Sequence, residues 1–141
     1  MKPLPLNLEG GCQCGAVRYR IAGHPHHLTL CHCTVCRGVS GAPAVAWFSV
    51  PASGFTLLQG SPRTYRSSET ASRSFCRDCG TQLTFKADDL PEIDVTTCSL
   101  DMPEALPPED QTFVRSRLQW LSAIPDLPEH DSVRPPESSE P

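Results

Sequence analysis

The chain has 141 residues, 38% of them hydrophobic, with 8 cysteines and 15 prolines. This length suits one domain, and a core of that size often relies on an added crosslink or metal ion. The formal net charge of -4 and the lack of long basic runs leave no electrostatic footprint for nucleic acid or anionic lipid, so we expect neither as a partner.

The N-terminal segment, MKPLPLNLEGGC, lacks the apolar run of a signal peptide. The sequence also lacks a stretch of roughly 20 apolar residues, the length needed to span a membrane. We therefore expect no membrane partner and a cytoplasmic location, where thiols stay reduced. Cysteines in such a compartment indicate metal binding rather than disulfides. Residues 1–9 are expected to be a flexible lead-in.

Short strands are predicted along most of the chain. In AVRYRI, residues 16–21, Val17, Tyr19 and Ile21 alternate with Arg18 and Arg20, as in a half-buried strand. Further strands are predicted at residues 26–30, 42–50, 55–59, 63–67, 70–75, 81–86, 91–100 and the first half of 111–121. The one predicted helix is a single turn at 34–39. Many short strands separated by turn signals indicate an all-β fold of small sheets.

The C-terminal end differs from the rest in composition. From Pro125 onward, Pro, Glu, Ser and Asp predominate and apolar residues are few. Such a segment buries too little apolar surface to fold, so residues 129–141 are predicted to be a disordered tail. The folded domain is then expected to span residues 10–128.

Seven of the cysteines fall into three motifs, which are C-x-C at Cys12 and Cys14, C-x-C-x-x-C at Cys31, Cys33 and Cys36, and C-x-x-C at Cys76 and Cys79. The last motif is followed by Gly80 and is typical of a zinc knuckle, in which two thiolates bind one ion while the chain turns back. A structural zinc ion takes four ligands, so a second pair must come from one of the other motifs.

If Cys12 and Cys14 complete the knuckle site, that site has four thiolates and is closed. The other cluster then offers three thiolates and an exchangeable fourth position, which is the pattern of catalytic zinc. Spacing alone does not force this division, because His32 or Cys98 could close a second structural site. Disulfides are disfavoured by the compartment, and a redox pair at the C-x-x-C lacks the surrounding βαβ pattern.

Three groups outside these motifs have both a structural and a functional interpretation. The clustered histidines resemble metal ligands, but a solvated turn is the simpler prediction; they are His24, His26 and His27. The basic residues of the middle segment favour a solvated face over a nucleic-acid patch; they are Arg63, Arg66, Arg73 and Arg77. Trp47 and Phe48 are predicted to be core, although one of them could line a pocket beside an ion.

Several segments together resemble the family of glutathione-dependent formaldehyde-activating enzymes, which also includes centromere protein V. They are GGCQCGAVRY, CHCTVCR, RSFCRDCGTQLTF, CSLD and VRSRLQWL. The similarity extends from about Gly10 to about Pro128. It implies a β-tent (Mss4-like) fold of small antiparallel sheets organised around zinc.

The resemblance also implies two zinc ions. A structural zinc is expected on Cys12, Cys14, Cys76 and Cys79, and a catalytic-type zinc on Cys31, Cys33 and Cys36. The implied activity is that of a zinc-dependent carbon–sulfur lyase of the S-hydroxymethylglutathione synthase type, with glutathione or another small thiol as partner. The alternative is a non-enzymatic zinc-binding module for a protein or nucleic-acid partner.

The sequence departs from the family pattern at two positions. Cys98 stands where the family commonly has Gly, and Gln111 stands where many members carry His. If that histidine contributes to the chemistry of the family, the contribution is altered here.

Overall fold

A computed structural model describes residues 7–137. Within this range the chain forms one short α-helix, α1 (Thr34–Ser40), and ten strands. The strands are β1 (Asn7–Gly11), β2 (Arg18–Ala22), β3 (His26–Cys31), β4 (Val45–Pro51), β5 (Phe55–Gln59), β6 (Arg63–Arg66), β7 (Ala71–Phe75), β8 (Gln82–Ala87), β9 (Glu92–Thr96) and β10 (Asp110–Thr112). The predicted all-β class is confirmed. No helix in this range is long and apolar enough to cross a bilayer.

The strands form two sheets. The smaller has the order β1-β2-β5, and the larger has the order β10-β3-β4-β9-β8-β7-β6. Neighbouring strands are antiparallel, as expected, except that the short edge strand β10 runs parallel to β3. β10 reaches β3 only after a long connection, as parallel pairing requires.

One face of the larger sheet packs against the smaller sheet and forms the main core. The fully buried members include Tyr19 and Ile21 of β2 and Phe48 and Val50 of β4. The Tyr19 hydroxyl lies 2.6 Å from Ser99 Oγ. Gly10 makes room for this ring, because a Cβ atom there would lie 2.5 Å from the tyrosine oxygen. The core therefore requires a glycine at position 10.

The ends of the domain differ from expectation. Residues 7–9, expected in a flexible lead-in, instead begin β1, because Asn7 to Gly11 pair with Ala22 to Arg18 of β2. Residues 1–6 of that predicted lead-in lie outside the described residues. Residues 129–137 contain neither helix nor strand, and 138–141 lie outside the described range. The disorder of the tail stays a prediction.

Two predicted strands are shorter than expected. The segment 91–100 leaves the sheet after Thr96 and turns through a short 3-10 helix at Thr97–Ser99. In the segment 111–121 only the first two residues extend a strand, and 3-10 helices follow at Val114–Ser116 and Gln119–Asp126. Their apolar residues alternate locally, but beyond these strands the only bridge among residues 7–137 is that of Leu100 with Gly10 of β1.

Candidate metal centres

The C-x-C and C-x-x-C motifs converge on one point between the two sheets. Cys12 and Cys14 follow β1, whereas Cys76 and Cys79 lie in the turn between β7 and β8. The four Sγ atoms all lie within 4.8 Å of one another. The thiol of Cys14 is 3.6 Å from that of Cys12 and 3.8 Å from that of Cys76. A tetrahedron with zinc–sulfur bonds of about 2.3 Å has sulfur–sulfur edges of about 3.8 Å, so this spacing fits zinc.

Backbone donors around this four-thiol cluster also suit thiolates. The N–H of Val17 donates to Cys12 Sγ at 3.1 Å. The N–H groups of Asp78 and Cys79 face Cys76 Sγ at 3.4 and 3.5 Å. Gly80, with φ of 79°, adopts the left-handed conformation that the knuckle turn needs. These donors favour the charged form of sulfur, which is the form that binds metal.

The C-x-C-x-x-C motif forms a second group, the three-thiol cluster. Cys31 ends β3, Cys33 caps the N-terminus of α1, and Cys36 lies buried in its first turn. Their Sγ atoms also lie within 4.8 Å of one another. Cys33 Sγ accepts a hydrogen bond from the N–H of Cys36 at 3.2 Å. The local chain path alone brings these three thiols together.

Protons are shared unequally within the three-thiol cluster. A hydrogen bond from the Cys36 thiol lowers the pKa of Cys31 to about 5, against the opposing effect of burial. The same hydrogen bond, together with burial, raises the pKa of Cys36 above its usual range. Cys31 is therefore the first of the pair to become a thiolate.

Neither of the alternative fourth ligands lies at this cluster. His32 is buried and turned away, with its Nε2 donating to Gln111 Oε1 at 2.8 Å. Cys98 is exposed and belongs to neither cysteine cluster. Among residues 7–137, no additional His, Cys, Asp or Glu joins the three thiols. The cluster thus offers three protein ligands. Gln111, through its contact with Nε2, orients the His32 ring away from them.

The three-thiol cluster opens into a cavity of about 900 Å³. The cavity floor is the second face of the larger sheet, on which alternate residues point outward. His27, Thr29 and Cys31 of β3 lie on this face, as do Trp47 and Ser49 of β4. Phe48 is buried in the main core, as predicted. Trp47 is also buried, in a smaller cluster with Cys31 and Cys36, where it lines the cavity as the alternative interpretation expected.

Arg73 of β7 lies on the same face and is only 5% exposed. Its guanidinium carbon is 5.0 Å from the centre of the Phe85 ring and 5.8 Å from that of Trp47. Both terminal nitrogens contact Cys36 Sγ, and the Nε atom has no partner among the described residues. A buried cation is costly unless an anion accompanies it. The three thiols supply that anion when they are deprotonated, as they are around a metal ion.

The family model of glutathione-dependent formaldehyde-activating enzymes matches residues 7–116. The chain belongs to this family.

Two relatives and one solved structure resemble it. A protein of Halomonas elongata that carries the family name is 45% identical over 40 residues, which cover 28% of this chain and 26% of that protein. An uncharacterised lyase of Schizosaccharomyces pombe is 35% identical over 77 residues, covering 55% of this chain and 56% of that protein. The alignments thus span about a quarter and about half of these relatives. A crystal structure of a Rhodobacter sphaeroides protein has a TM-score of 0.60 at 26% identity and covers 74% of this chain and 100% of that chain.

The cysteine motifs were recognisable in the sequence through their resemblance to the formaldehyde-activating family. The burial of Arg73 beside the three-thiol cluster was not predicted. Its burial contradicts the predicted solvated basic face, because Arg73 occupies an inward-facing position of β7 together with Ala71. The other basic residues are exposed, and Arg66 pairs with Asp88. The alternation Ala-Ser-Arg-Ser-Phe was the available signal, since it places Ala71 and Arg73 on one face. The basic segment therefore does not form one continuous patch.

Proposed function

We propose that the protein is a zinc-dependent carbon–sulfur lyase-like enzyme acting on the formaldehyde adduct of glutathione or of another small thiol. One observation carries the proposal: the three-thiol cluster lies in the wall of a cavity and has no fourth protein ligand among the described residues. Family membership and the word lyase in the name of the yeast relative support the same class of reaction.

In this proposal the two cysteine clusters hold two zinc ions with different roles. Cys12, Cys14, Cys76 and Cys79 enclose a structural ion. Cys31, Cys33 and Cys36 hold the second ion and act as the catalytic ligand set. The second ion would supply a coordination position at which a substrate sulfur is held as its thiolate.

The residues around the three-thiol cluster are suited to a substrate thiolate. Arg73 contributes a fixed positive charge beside Cys36, which offsets the negative charge of a thiolate-rich site. Trp47 and Phe85 give the cavity apolar walls and pack edge to face, with ring centres 6.4 Å apart. A cavity of about 900 Å³ lies within the usual range of about 300–1,000 Å³ for small-molecule sites.

The overall reaction forms or breaks one carbon–sulfur bond. The thiol sulfur bonds to the carbonyl carbon of formaldehyde, the carbonyl electron pair moves to oxygen, and the thiol proton ends on that oxygen. The product is the S-hydroxymethyl adduct of the thiol, a hemithioacetal, and the reverse reaction releases formaldehyde and the thiol. No oxidant or reductant is needed.

The test is an exchange measurement at equilibrium. Zinc-loaded protein is added to glutathione and ¹³C-formaldehyde, and NMR exchange spectroscopy measures how fast label passes between free and adduct forms. We expect acceleration with the wild type and with Cys98→Ser, and loss of acceleration with Cys33→Ser. Cys98 is the matched control because it is exposed and lies outside both clusters. Failure of the wild type to exceed the uncatalysed exchange, with glutathione or other small thiols, overturns the proposal, as does full activity of Cys33→Ser.

A further inference from the structure

A third group of potential metal ligands lies away from the cysteines. His26 Nε2 is 3.2 Å from Glu92 Oε2, and His27 Nδ1 is 3.7 Å from the same oxygen. The two imidazole rings meet edge to face, with centres 4.7 Å apart. One ligand atom from each residue lies within 4.8 Å of the other two. His26 and His27 lie in β3 and not in the predicted turn, but they are solvent-accessible as predicted, and His24 is exposed outside the group.

A local irregularity of β3 produces this arrangement. Consecutive strand residues normally point to opposite faces, so two adjacent histidines should not reach one carboxylate. Here the β3–β4 register shifts between His26 and Thr29, and His27 adopts a left-handed conformation with φ of 49°. Glu92 begins β9, which β4 separates from β3. The group therefore links two strands that are not direct neighbours.

We propose that His26, His27 and Glu92 bind a divalent zinc-type transition-metal ion, independently of the cysteine clusters. Two imidazole nitrogens and one carboxylate oxygen form a ligand set known from zinc sites with an open position. The side chains of His26, His27 and Glu92 are 39%, 71% and 35% exposed, so water completes the coordination. The ion binds more weakly here than at the thiolates.

The proposed site shares the cavity with the three-thiol cluster. His27 and Glu92 both line that cavity. His27 and Cys31 are four residues apart on β3, which corresponds to about 13 Å along a strand. The two ions therefore lie too far apart for a binuclear centre. Because His27 and Glu92 line the cavity, an ion held by them would lie at its edge, with water in the open position.

The test uses protein whose cysteine sites are already filled with zinc and which has been dialysed free of excess metal. Calorimetric titration with Zn²⁺ is expected to show one further equivalent in the wild type and in His24→Ala. Glu92→Gln and His27→Ala are expected to bind that equivalent at least tenfold more weakly. Thermal melting without added zinc checks that each variant is folded. His24 is the matched control because it lies in the same exposed segment outside the cluster.

A second readout needs no substitution. In ¹⁵N spectra of the imidazoles, the His26 and His27 signals are expected to shift when the further zinc is added, whereas those of His24 and His130 do not. The proposal is overturned if the wild type takes up no further zinc or if Glu92→Gln binds it as tightly as the wild type. Equal loss in His24→Ala, or equal shifts of all four imidazoles, also overturns it.

Discussion

Both terminal nitrogens of Arg73 lie 3.6 Å from Cys36 Sγ. This contact places a permanent charge against the three-thiol cluster at a site almost closed to water. A zinc ion with three thiolates has a formal charge of -1, and Arg73 makes the assembly neutral. Without metal, the hydrogen bond with Cys31 and burial raise the pKa of Cys36, so this thiol keeps its proton near neutral pH. Metal binding requires Cys36 as a thiolate, so the cation beside its sulfur stabilises the metal-bound state more than the metal-free state.

Arg73→Met is therefore expected to weaken zinc binding at the three-thiol cluster. Hydrogen bonds to charged groups contribute about 1.5–3 kcal/mol, which corresponds to roughly a ten- to hundredfold loss of affinity. A competition assay with a chromophoric chelator measures this affinity, and Arg73→Lys should restore part of it. Arg63→Met is the control, because Arg63 is exposed on β6. Unchanged affinity in Arg73→Met would contradict the proposed role.

The two cysteine clusters are expected to respond differently to substitution. Cys79→Ser should unfold the domain, because the four-thiol cluster joins the β1–β2 loop to the β7–β8 turn across a long sequence separation. Cys33→Ser should lose one zinc and keep the fold, since its partners are close in sequence. Metal analysis and circular dichroism distinguish the two. Equal unfolding in both variants would indicate that both clusters are structural.

Gln111→Ala is expected to destabilise the segment that carries the three thiols. His32 is 1% exposed, its Nδ1 has no partner among the described residues, and Gln111 holds its Nε2. Removing the acceptor leaves a second buried polar atom unpaired, at a cost of about 1–3 kcal/mol. Urea unfolding measures the loss, with the exposed Gln119→Ala as control. Similar stabilities of the two variants would argue against this role for Gln111.

The Tyr19–Ser99 contact leads to a prediction at high pH. Burial, opposed by the hydrogen bond with Ser99, raises the pKa of Tyr19 to about 12, compared with about 10 for an unfolded tyrosine. Below pH 10 both states keep the proton, so stability is unaffected. Above it the unfolded state loses its proton first, and stability falls as the pH rises towards 12. This contribution is absent in Tyr19→Phe.

Urea unfolding of wild type and Tyr19→Phe at pH 8 and pH 11 tests this linkage. Between these values the wild type should lose about 1 kcal/mol more than the variant, since each unit of pKa difference corresponds to about 1.4 kcal/mol. The second tyrosine, Tyr65, is present in both proteins, so its titration does not contribute to the difference between them. Equal losses would mean that Tyr19 titrates normally.

The outline of the fold and the proximity of Cys31, Cys33 and Cys36 were predictable from sequence. Most strands were recognisable because inward and outward residues alternate with period two, which is a local property. The three thiols around Cys33 are neighbours along the chain, so their cluster needs only one turn. The first strand escaped prediction because Gly10 and Gly11 give no alternating signal, and its existence depends on pairing with β2.

Other features depend on which strands become neighbours, and the sequence alone does not specify this. Counting ligands left open which two cysteines complete a site with Cys76 and Cys79. The packing of the two sheets places Cys12 and Cys14 beside them. A period-two pattern tells which residues share a face but not what that face meets. Only the sheet order buries Arg73 beside Cys36, and only a shifted register places His26 and His27 against Glu92. Contacts between distant segments decide these positions.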